Sequence, residues 1–454
     1  MEIKNTSYIS LIILHIILGF VIFTFPVLSL LYGLLTIVFG VFYILKTKNR
    51  NNEVIFMSAY IIGLEVFLRM TGGGLSYEIG KYAVILYMFL GILISGIKKN
   101  GLIYIFFIAL LLPAVLVSAE TLNYDTNFRK AVIFNLLGPV CLGISALYCY
   151  QRELTFNQLK NIFTAFGLPI ICTVVYLFLY TPSNLDEVIT HTSSNFKTSG
   201  GFGPNQVATV LGLGMFAFFV QILLNSPSKI LLIINTLLFA VCSYRGVITF
   251  SRGGVFVGLF MIFLLLIIVF PKVNIRAKSK IVLSVIVGVF LGFFVWAYTS
   301  VQTGGMIDKR YANQNASGVE KESVLTGRET LMETEFQMFL DNPILGVGVG
   351  KNREERLEMT GIAAASHNEV TRLLAEHGML GLFALLILVF VPLNLYPANK
   401  QNIFLLSFFF FWALTINHAA MRLAAPAFVY ALSLLKVTFN EPTATPEKIE
   451  INEV

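Results

Sequence analysis

The chain has 454 residues, of which 56% are hydrophobic and only 13% are charged. Soluble domains carry about 25% charged residues, so this chain has too few polar side chains to cover soluble cores. The composition excludes a soluble multidomain protein and predicts an all-α, polytopic integral membrane helix bundle. The formal net charge of +7 does not indicate a nucleic-acid partner, because cytoplasmic loops of membrane proteins collect Lys and Arg.

Fourteen apolar runs are candidates to enter or cross a membrane, since a span needs about 20 apolar residues. Twelve spans result if the short C-terminal runs merge or lie in the interface. The first run has no small-residue cleavage site, so we expect a retained helix rather than a signal peptide. The runs cover 8–24, 27–45, 54–70, 79–97, 102–118, 128–150, 159–180, 205–224, 230–250, 253–270, 281–300, 379–395, 404–416 and 423–435.

Basic residues predict the orientation of these runs. With the N-terminus inside, the inner boundaries carry 13 Lys and Arg, against seven on the short outer connections. This bias predicts that both termini lie in the cytoplasm. The four cysteines lie in or beside apolar runs, so we expect buried thiols rather than disulfides or a metal site.

The orientation places residues 301–365 outside, where they hold seven basic and ten acidic residues out of 57 charged ones. Helix signals within this segment argue against simple disorder. We expect four regions. These are a membrane domain of about 11 helices over 1–300, an outer loop with short helices over 301–366, a helix leading from the loop into the membrane with the C-terminal membrane helices over 367–437, and a disordered cytoplasmic tail over 438–454.

Arg328 lies in the first turn of a predicted outer helix. The sequence Thr-Gly-Arg-Glu at 326–329 has the form of a capping box, and Asp-Asn-Pro at 341–343 predicts the end of the helix. Free backbone N–H groups at a helix start favour an anion, and a guanidinium adds to this preference. Arg328 is therefore a candidate phosphate ligand; the structural alternative is an ion pair with a neighbouring Glu.

His367 lies at a second predicted helix start. Ser-His-Asn-Glu at 366–369 also fits a capping box, and Gly378 is suited to end the helix. The positive helix end should lower the pKa of His367 and keep its imidazole neutral. A neutral imidazole outside the membrane suits a general base. The alternative is a surface histidine with no chemical role.

Arg252 forms a third signal. Ser251 is expected to cap the following membrane helix, which places Arg252 at its outer end. An arginine at a membrane helix usually marks function or a partner, although snorkelling to the interface explains it equally well. Upstream, the glycine-rich loop 198–205 is either a ligand contact or a plain connection, and Pro204 is suited to open a helix.

Weaker signals favour structural interpretations. Internal ion pairs are expected for Glu65 with Arg69 and for His418 with Arg422, and Arg372 can pair with Glu369 or Glu376. Residues 345–352 resemble a P-loop but lack its first Gly and its Ser or Thr, so a tight turn is expected there. No metal-binding motif is present, and we expect no metal and no cofactor.

These motifs together resemble the O-antigen ligase and O-antigen polymerase superfamily over about residues 198–395. The motifs, in order, are Ser-Gly-Gly-Phe-Gly-Pro-Asn at 199–205, Ser-Arg-Gly-Gly at 251–254, Thr-Gly-Arg at 326–328, Asn-Pro-Ile-Leu-Gly-Val-Gly-Val-Gly at 342–350 and Ser-His-Asn-Glu-Val-Thr-Arg-Leu-Leu-Ala-Glu-His-Gly-Met-Leu-Gly at 366–381.

The resemblance implies a multi-pass, GT-C-like glycosyltransferase of the bacterial inner membrane. Such enzymes transfer a glycan from undecaprenyl diphosphate to an acceptor hydroxyl on the periplasmic face, without a metal. The acceptor is lipid A–core for a ligase or another lipid-linked repeat unit for a polymerase, which the 14 runs slightly favour. The family's functional residues correspond to Arg252, Arg328 and His367.

A metal-independent, inverting transfer is therefore expected, with surface polysaccharide or lipopolysaccharide as its product. Asn205, Asn368 and Arg372 lie in the same motifs and are candidate substrate contacts. Expected partners are the lipid-linked donor, the acceptor and membrane lipids, with a chain-length regulator or flippase as further candidates and no nucleic acid. The alternative function is a secondary transporter or flippase for an anionic solute, with Arg252 in its pathway.

Overall fold

The computed structural model describes residues 5–182, 185, 188–321 and 328–439. Within these residues the chain forms eighteen α-helices and two three-residue strands. The helices are α1 (Asn5–Thr24), α2 (Val27–Thr47), α3 (Glu53–Thr71), α4 (Ile79–Ser95), α5 (Ile103–Leu111), α6 (Pro113–Thr121), α7 (Phe128–Cys149), α8 (Phe156–Tyr180), α9 (Pro204–Leu224), α10 (Lys229–Ile248), α11 (Arg252–Val269), α12 (Ile275–Gln302), α13 (Met306–Tyr311), α14 (Arg328–Asp341), α15 (Asn352–Thr360), α16 (Glu369–Leu395), α17 (Leu405–Thr415) and α18 (Ala425–Leu432).

Eleven helical stretches of the described chain are long and apolar enough to cross a membrane, which confirms the all-α membrane bundle. Every predicted apolar run falls on helix. The two C-terminal runs form α17 and α18, whose 11 and 8 residues span only about 16 and 12 Å at about 1.5 Å per residue. Neither can cross a hydrocarbon core of about 30 Å alone.

Two predicted helices are interrupted. The run at 102–118 forms α5 and α6, which meet at Pro113, the first residue of α6. Proline is tolerated there because the first helical N–H has no intrahelical partner. In α16, Gly378 has φ 59° and ψ −137°, so the helix breaks where its end was predicted and then continues.

Helix α9 forms the centre of the bundle and α12 lies at its edge. The apolar window of α9 is 83% buried, whereas that of α12 is 6% buried. Helix α9 packs against α8, α10 and α11. Its first turn, at Pro204, is therefore held by neighbours on several sides, which fixes the position of the residues that follow the glycine-rich loop.

The two strands close one end of the bundle. Strand β1 (Glu153–Thr155) pairs in parallel with β2 (Lys436–Thr438). The guanidinium of Arg152 donates a 2.8 Å hydrogen bond to the carbonyl oxygen of Gly96. The two strands, Arg152 and Gly96 were all predicted on the inner side of the membrane. In the structure they lie together at one end of the bundle. Residues 440–454, most of the predicted tail, lie outside the described residues.

The segment between α12 and α16 contains α13, α14 and α15. Helix α14 ends at Asp341, as predicted from Asp-Asn-Pro. Its expected cap at Thr326 lies outside the described residues. The P-loop-like stretch is a turn packed on α16: Gly346 has φ 72°, and a Cβ there would lie 2.4 Å from the Glu376 carbonyl carbon. This turn is structural, as predicted.

Candidate functional site

A pocket of about 480 Å³, here called the cationic pocket, lies where α9, α13 and α14 meet three loops. Four of its lining residues carry cationic or imidazole side chains. Its described lining residues are Ser193, Ser194, Phe196, Gly203, Pro204, Asn205, Gln206, Arg310, Arg328, Leu331, Ile362, Ala364, His367, Ala419 and Arg422.

Two helices start at or beside this pocket, and a third lines it with its first described residue. Helix α9 starts in its wall at Pro204, α11 starts nearby at Arg252, and Arg328 of α14 lies in the wall. The hydroxyl of Ser251 donates a 2.8 Å hydrogen bond to Oδ1 of Asn205, which joins the starts of α9 and α11. Ser251 makes no capping hydrogen bond, so its predicted role was wrong. Helix starts carry partial positive charge and free N–H groups, so they favour an anion.

Four arginines come together here, and two of them were missed from the sequence. A guanidinium nitrogen of Arg252 lies 3.5 Å from the carbonyl oxygen of Arg310. Nε of Arg310 donates a 3.0 Å hydrogen bond to the carbonyl oxygen of Phe250, which fixes its side chain. Arg328 and Arg422 line the pocket.

The arginines repel one another. Burial, followed by the charges of Arg252 and Arg328, lowers the pKa of Arg310 to about 10. Burial, then Arg422 and Arg252, also lowers the pKa of Arg328. Among the described lining residues of the pocket, none is Asp or Glu. The pocket therefore concentrates positive charge that a bound polyanion would neutralise.

His367 lies in the same pocket but not at the predicted helix position. Asn368 caps α16, so His367 precedes the cap. Burial and then the charges of Arg422, Arg328 and Arg356 lower its pKa to about 4. The direction is as predicted, but burial and arginine charges cause it. Nδ1 is enclosed and has no hydrogen-bond partner in the described part of the chain.

The segment before His367 is held by a buried ion pair. The carboxylate of Glu335 pairs with the guanidinium of Arg356, and both side chains are fully buried. The other Glu335 oxygen accepts a 3.2 Å hydrogen bond from the hydroxyl of Ser366. Arg356 also donates to the carbonyl oxygen of Ala364 at 2.5 Å. The pair thus fixes the backbone that presents His367.

Arg422 adds a third contact to this segment. Its guanidinium donates a 2.8 Å hydrogen bond to the carbonyl oxygen of Ser366. The expected pairing of His418 with Arg422 was wrong, because Nδ1 of His418 instead lies 3.0 Å from the carbonyl oxygen of Leu414. The contact between Arg422 and Ser366 joins residues 56 positions apart, so no local sequence pattern signals it.

Two expected substrate contacts lie outside the cationic pocket. Oδ1 of Asn368 accepts hydrogen bonds from the Val370 and Thr371 amides, so this side-chain oxygen caps α16. Arg372 is buried and pairs with Glu369 and Glu376, which confirms its structural interpretation. We therefore leave Asn368 and Arg372 out of the proposed site and retain Asn205, which lines the pocket.

The remaining predicted ion pair is present. Arg69 and Glu65 are 2.7 Å apart and almost fully buried. Arg69 also donates a 3.0 Å hydrogen bond to the carbonyl oxygen of Arg422. This buried pair supports the loop that carries Arg422 and does not itself line the cationic pocket.

Comparison with known families agrees with this arrangement. Residues 236–386 match the O-antigen ligase family model. This segment, about a third of the chain, is similar to the O-antigen ligase family. The segment contains Arg252, Arg310, Arg328 and His367, whereas Asn205 and Arg422 lie outside it. No curated protein matches the chain. The match confirms the resemblance to the O-antigen ligase and polymerase superfamily over this segment. Together with the eleven helical stretches that are long enough to cross a membrane, it supports a multi-pass membrane protein of O-antigen ligase type.

Proposed function

We propose that this protein is a membrane glycosyltransferase that transfers a glycan from undecaprenyl diphosphate to an acceptor hydroxyl on the outer face of the bacterial inner membrane. The observation that carries the proposal is the cationic pocket. It combines three arginines, the start of α9 and a half-buried neutral histidine, and the start of α11 with Arg252 lies beside it. None of its described lining residues is acidic. A lipid diphosphate has the charge and the reacting bond that this set of groups fits.

Arg252, Arg310 and Arg328 would bind the diphosphate. Arginine presents several N–H donors in a fixed plane and suits paired phosphate oxygens. Each charge-assisted hydrogen bond contributes about 1.5–3 kcal/mol. Burial and then mutual repulsion lower the pKa of Arg310 and Arg328, and bound phosphates would relieve the repulsion. In this proposal, fixed cations and helix starts supply the positive charge, so no metal is required.

The transfer would be a single displacement. The acceptor oxygen forms a bond to the anomeric carbon while the bond from that carbon to the phosphate oxygen breaks. The bonding electrons leave with undecaprenyl diphosphate, whose added negative charge the arginines stabilise. The acceptor proton moves to His367. Attack opposite the leaving group inverts the anomeric carbon.

His367 suits the proton transfer because it is neutral before the reaction. At neutral pH, a histidine with a pKa of about 4 is almost entirely unprotonated. When the diphosphate binds, its negative charge offsets the neighbouring arginines and raises the pKa of His367. The base thus becomes stronger when the donor is present, which couples proton transfer to donor binding.

We favour the polymerase over the ligase within this proposal. A deletion strain separates the two. A lipid core that carries single repeat units would indicate a lost polymerase, whereas a bare core with accumulated lipid-linked polymer would indicate a lost ligase. The wild-type chain should restore the surface glycan of the deletion strain. A His367→Ala chain, present at an equal level in the membrane, should not restore it. A deletion strain with unchanged surface glycan would contradict the proposed function.

A further inference from the structure

A second pocket, of about 660 Å³, shares a wall with the cationic pocket. The wall is the segment 362–367. Ile362, Ala364 and His367 line the cationic pocket, whereas Ala363, Ala365 and Ser366 line the second pocket. Residues of one short backbone segment therefore line both spaces. The other walls come from the start of α7 and from α15.

The second pocket has a different chemistry from the cationic pocket. Its charges are balanced, with Asp125 and Glu354 against Lys130 and Arg353. Phe134 is 43% exposed and forms an apolar surface beside a rim of side-chain amides. The amide-bearing residues are Asn123, Asn127, Asn135 and Asn352. Amides bind hydroxyl groups through donors and acceptors, and an aromatic face packs on the apolar face of a sugar ring.

The rim of the second pocket is fixed before any ligand binds. Glu354 pairs with Lys351 at 3.0 Å and accepts a 3.1 Å hydrogen bond from the backbone amide of Asn123. Oδ1 of Asn127 accepts a 2.9 Å hydrogen bond from the amide of Lys130 and caps α7. The NH₂ group of Asn127 is thus the part of that side chain available to a ligand. A rigid rim reduces the entropy lost on binding.

The two pockets also approach each other beside Ser366, the residue before His367. A small cavity of about 20 Å³ is lined by Phe134, Asn135 and Ser366, which also line the second pocket. The same cavity is lined by Arg422, which also lines the cationic pocket. A ligand in the second pocket therefore lies across the His367 segment from the arginines.

We propose that the second pocket binds the sugars of the acceptor glycan. This inference rests on the proposed glycan transfer. A single displacement needs the acceptor oxygen on the side of the anomeric carbon opposite the leaving phosphate. The arginines fix the phosphate on one side of the His367 segment, and the second pocket lies on the other. Its balanced charge fits sugar residues and does not fit a second diphosphate.

Binding of two separate probes tests this assignment. The first probe is the lipid-free, phosphate-free oligosaccharide released from the cell's own lipid-linked glycan, and the second is undecaprenyl diphosphate. Saturation-transfer NMR on the purified full-length protein measures each affinity. Asn127→Ser, which retains a capping oxygen, and Phe134→Leu should each weaken oligosaccharide binding about tenfold. Neither should change diphosphate binding, which Arg328→Ala should weaken.

Matched controls are available in the same chain. Asn274 caps α12 with the same 2.9 Å geometry as Asn127, so Asn274→Ser tests the loss of a capping amide elsewhere. Phe336 is 49% exposed on α14, so Phe336→Leu tests the loss of an exposed ring. Both controls should bind the oligosaccharide like the wild-type chain.

Three results would overturn the acceptor site: no oligosaccharide binding to the wild-type protein, equal weakening by the controls, or weakening by Arg328→Ala as large as that by Phe134→Leu. Transfer activity of the wild-type protein is measured separately. If the wild-type protein transfers glycan but the second-pocket variants bind the oligosaccharide normally, this inference alone is refuted. If the wild-type protein does not transfer glycan, the proposed function is refuted.

Discussion

Substitution Glu335→Gln removes the charge that holds the His367 segment while keeping the shape of the side chain. Glu335 is fully buried, and its two oxygens accept hydrogen bonds from Arg356, Ser366 and Thr371. A glutamine oxygen can still accept from Arg356. Its amide nitrogen, however, faces the two hydroxyl groups and forces them to reorient.

The size of the effect follows from burial. Loss of one partner of a buried ion pair costs about 3–5 kcal/mol. Because a glutamine preserves a dipole at the site, we expect a loss near 3 kcal/mol. Arg356 would then bind Ala364 less rigidly, and Ser366 would lose its charged acceptor. A displacement of about 1 Å at a catalytic group costs about a hundredfold in rate, so kcat for glycan transfer should fall by about 10- to 100-fold.

The assay compares purified variants in proteoliposomes supplied with lipid-linked glycan. Glu335→Gln should lower kcat and leave the KM for the donor nearly unchanged, because the donor arginines are intact. Its thermal unfolding in detergent should occur at a lower temperature. Glu333→Gln is the matched control, since Glu333 is exposed on the same helix. If Glu335→Gln transfers glycan and unfolds like Glu333→Gln, the buried pair does not position His367.

Three further predictions concern charge and backbone geometry. His367 acts as a base only when neutral and has a pKa of about 4, so kcat/KM should stay level from pH 8 to about pH 5 and fall below pH 5. The acid limb of kcat should lie at higher pH, because the bound donor raises the pKa of His367. An acid limb of kcat/KM near pH 6.5 would contradict this. Arg310→Gln should lower kcat/KM by about 10²–10³-fold, whereas Arg276→Gln, exposed at the other end of the bundle, should not; equal rates would remove Arg310 from the site. Gly346→Ala should lower the free energy of unfolding by more than about 2 kcal/mol, because it adds a clash to a φ that is strained for alanine. Gly361→Ala should cost less, since Gly361 has φ 73° but no atom within 4 Å of the added Cβ. Equal losses in thermal unfolding would refute the role of the clash with α16.

Hydropathy was sufficient to predict the membrane helices because a membrane span is a long continuous apolar run. Local interruptions were harder to place. Pro113 divides one predicted span into two helices because proline lacks an N–H and clashes with the preceding turn. The short parallel pairing of β1 with β2 joins residues almost 300 positions apart, and no local pattern in three residues could predict it.

Some residues of the candidate site could be predicted from the sequence and others could not. Arg252 and Arg328 were identifiable from helix-start signals and motif order. Arg310 and Arg422 were not, since their relevance depends on tertiary contacts with Phe250 and Ser366. The helix start near His367 was misplaced because two residues could cap it.

The misplaced cap has a physical cause. Ser366 was expected to cap α16, but its hydroxyl donates to the buried Glu335 and to the carbonyl oxygen of Asn368. Asn368 takes the capping role instead. The environment of His367 therefore follows from Glu335 and Arg356, which lie in different helices and formed no motif in the sequence.

The most direct test of the proposed function is glycan transfer by purified protein in proteoliposomes containing the lipid-linked glycan from cells that lack this protein. The wild-type protein should release one undecaprenyl diphosphate for each glycosidic bond formed. His367→Ala should lower this rate by at least about a hundredfold, while His191→Ala, at an exposed histidine in the loop before α9, should match the wild-type rate. Equal rates for His367→Ala and the wild type, or no transfer by the wild-type protein, would contradict the proposed mechanism.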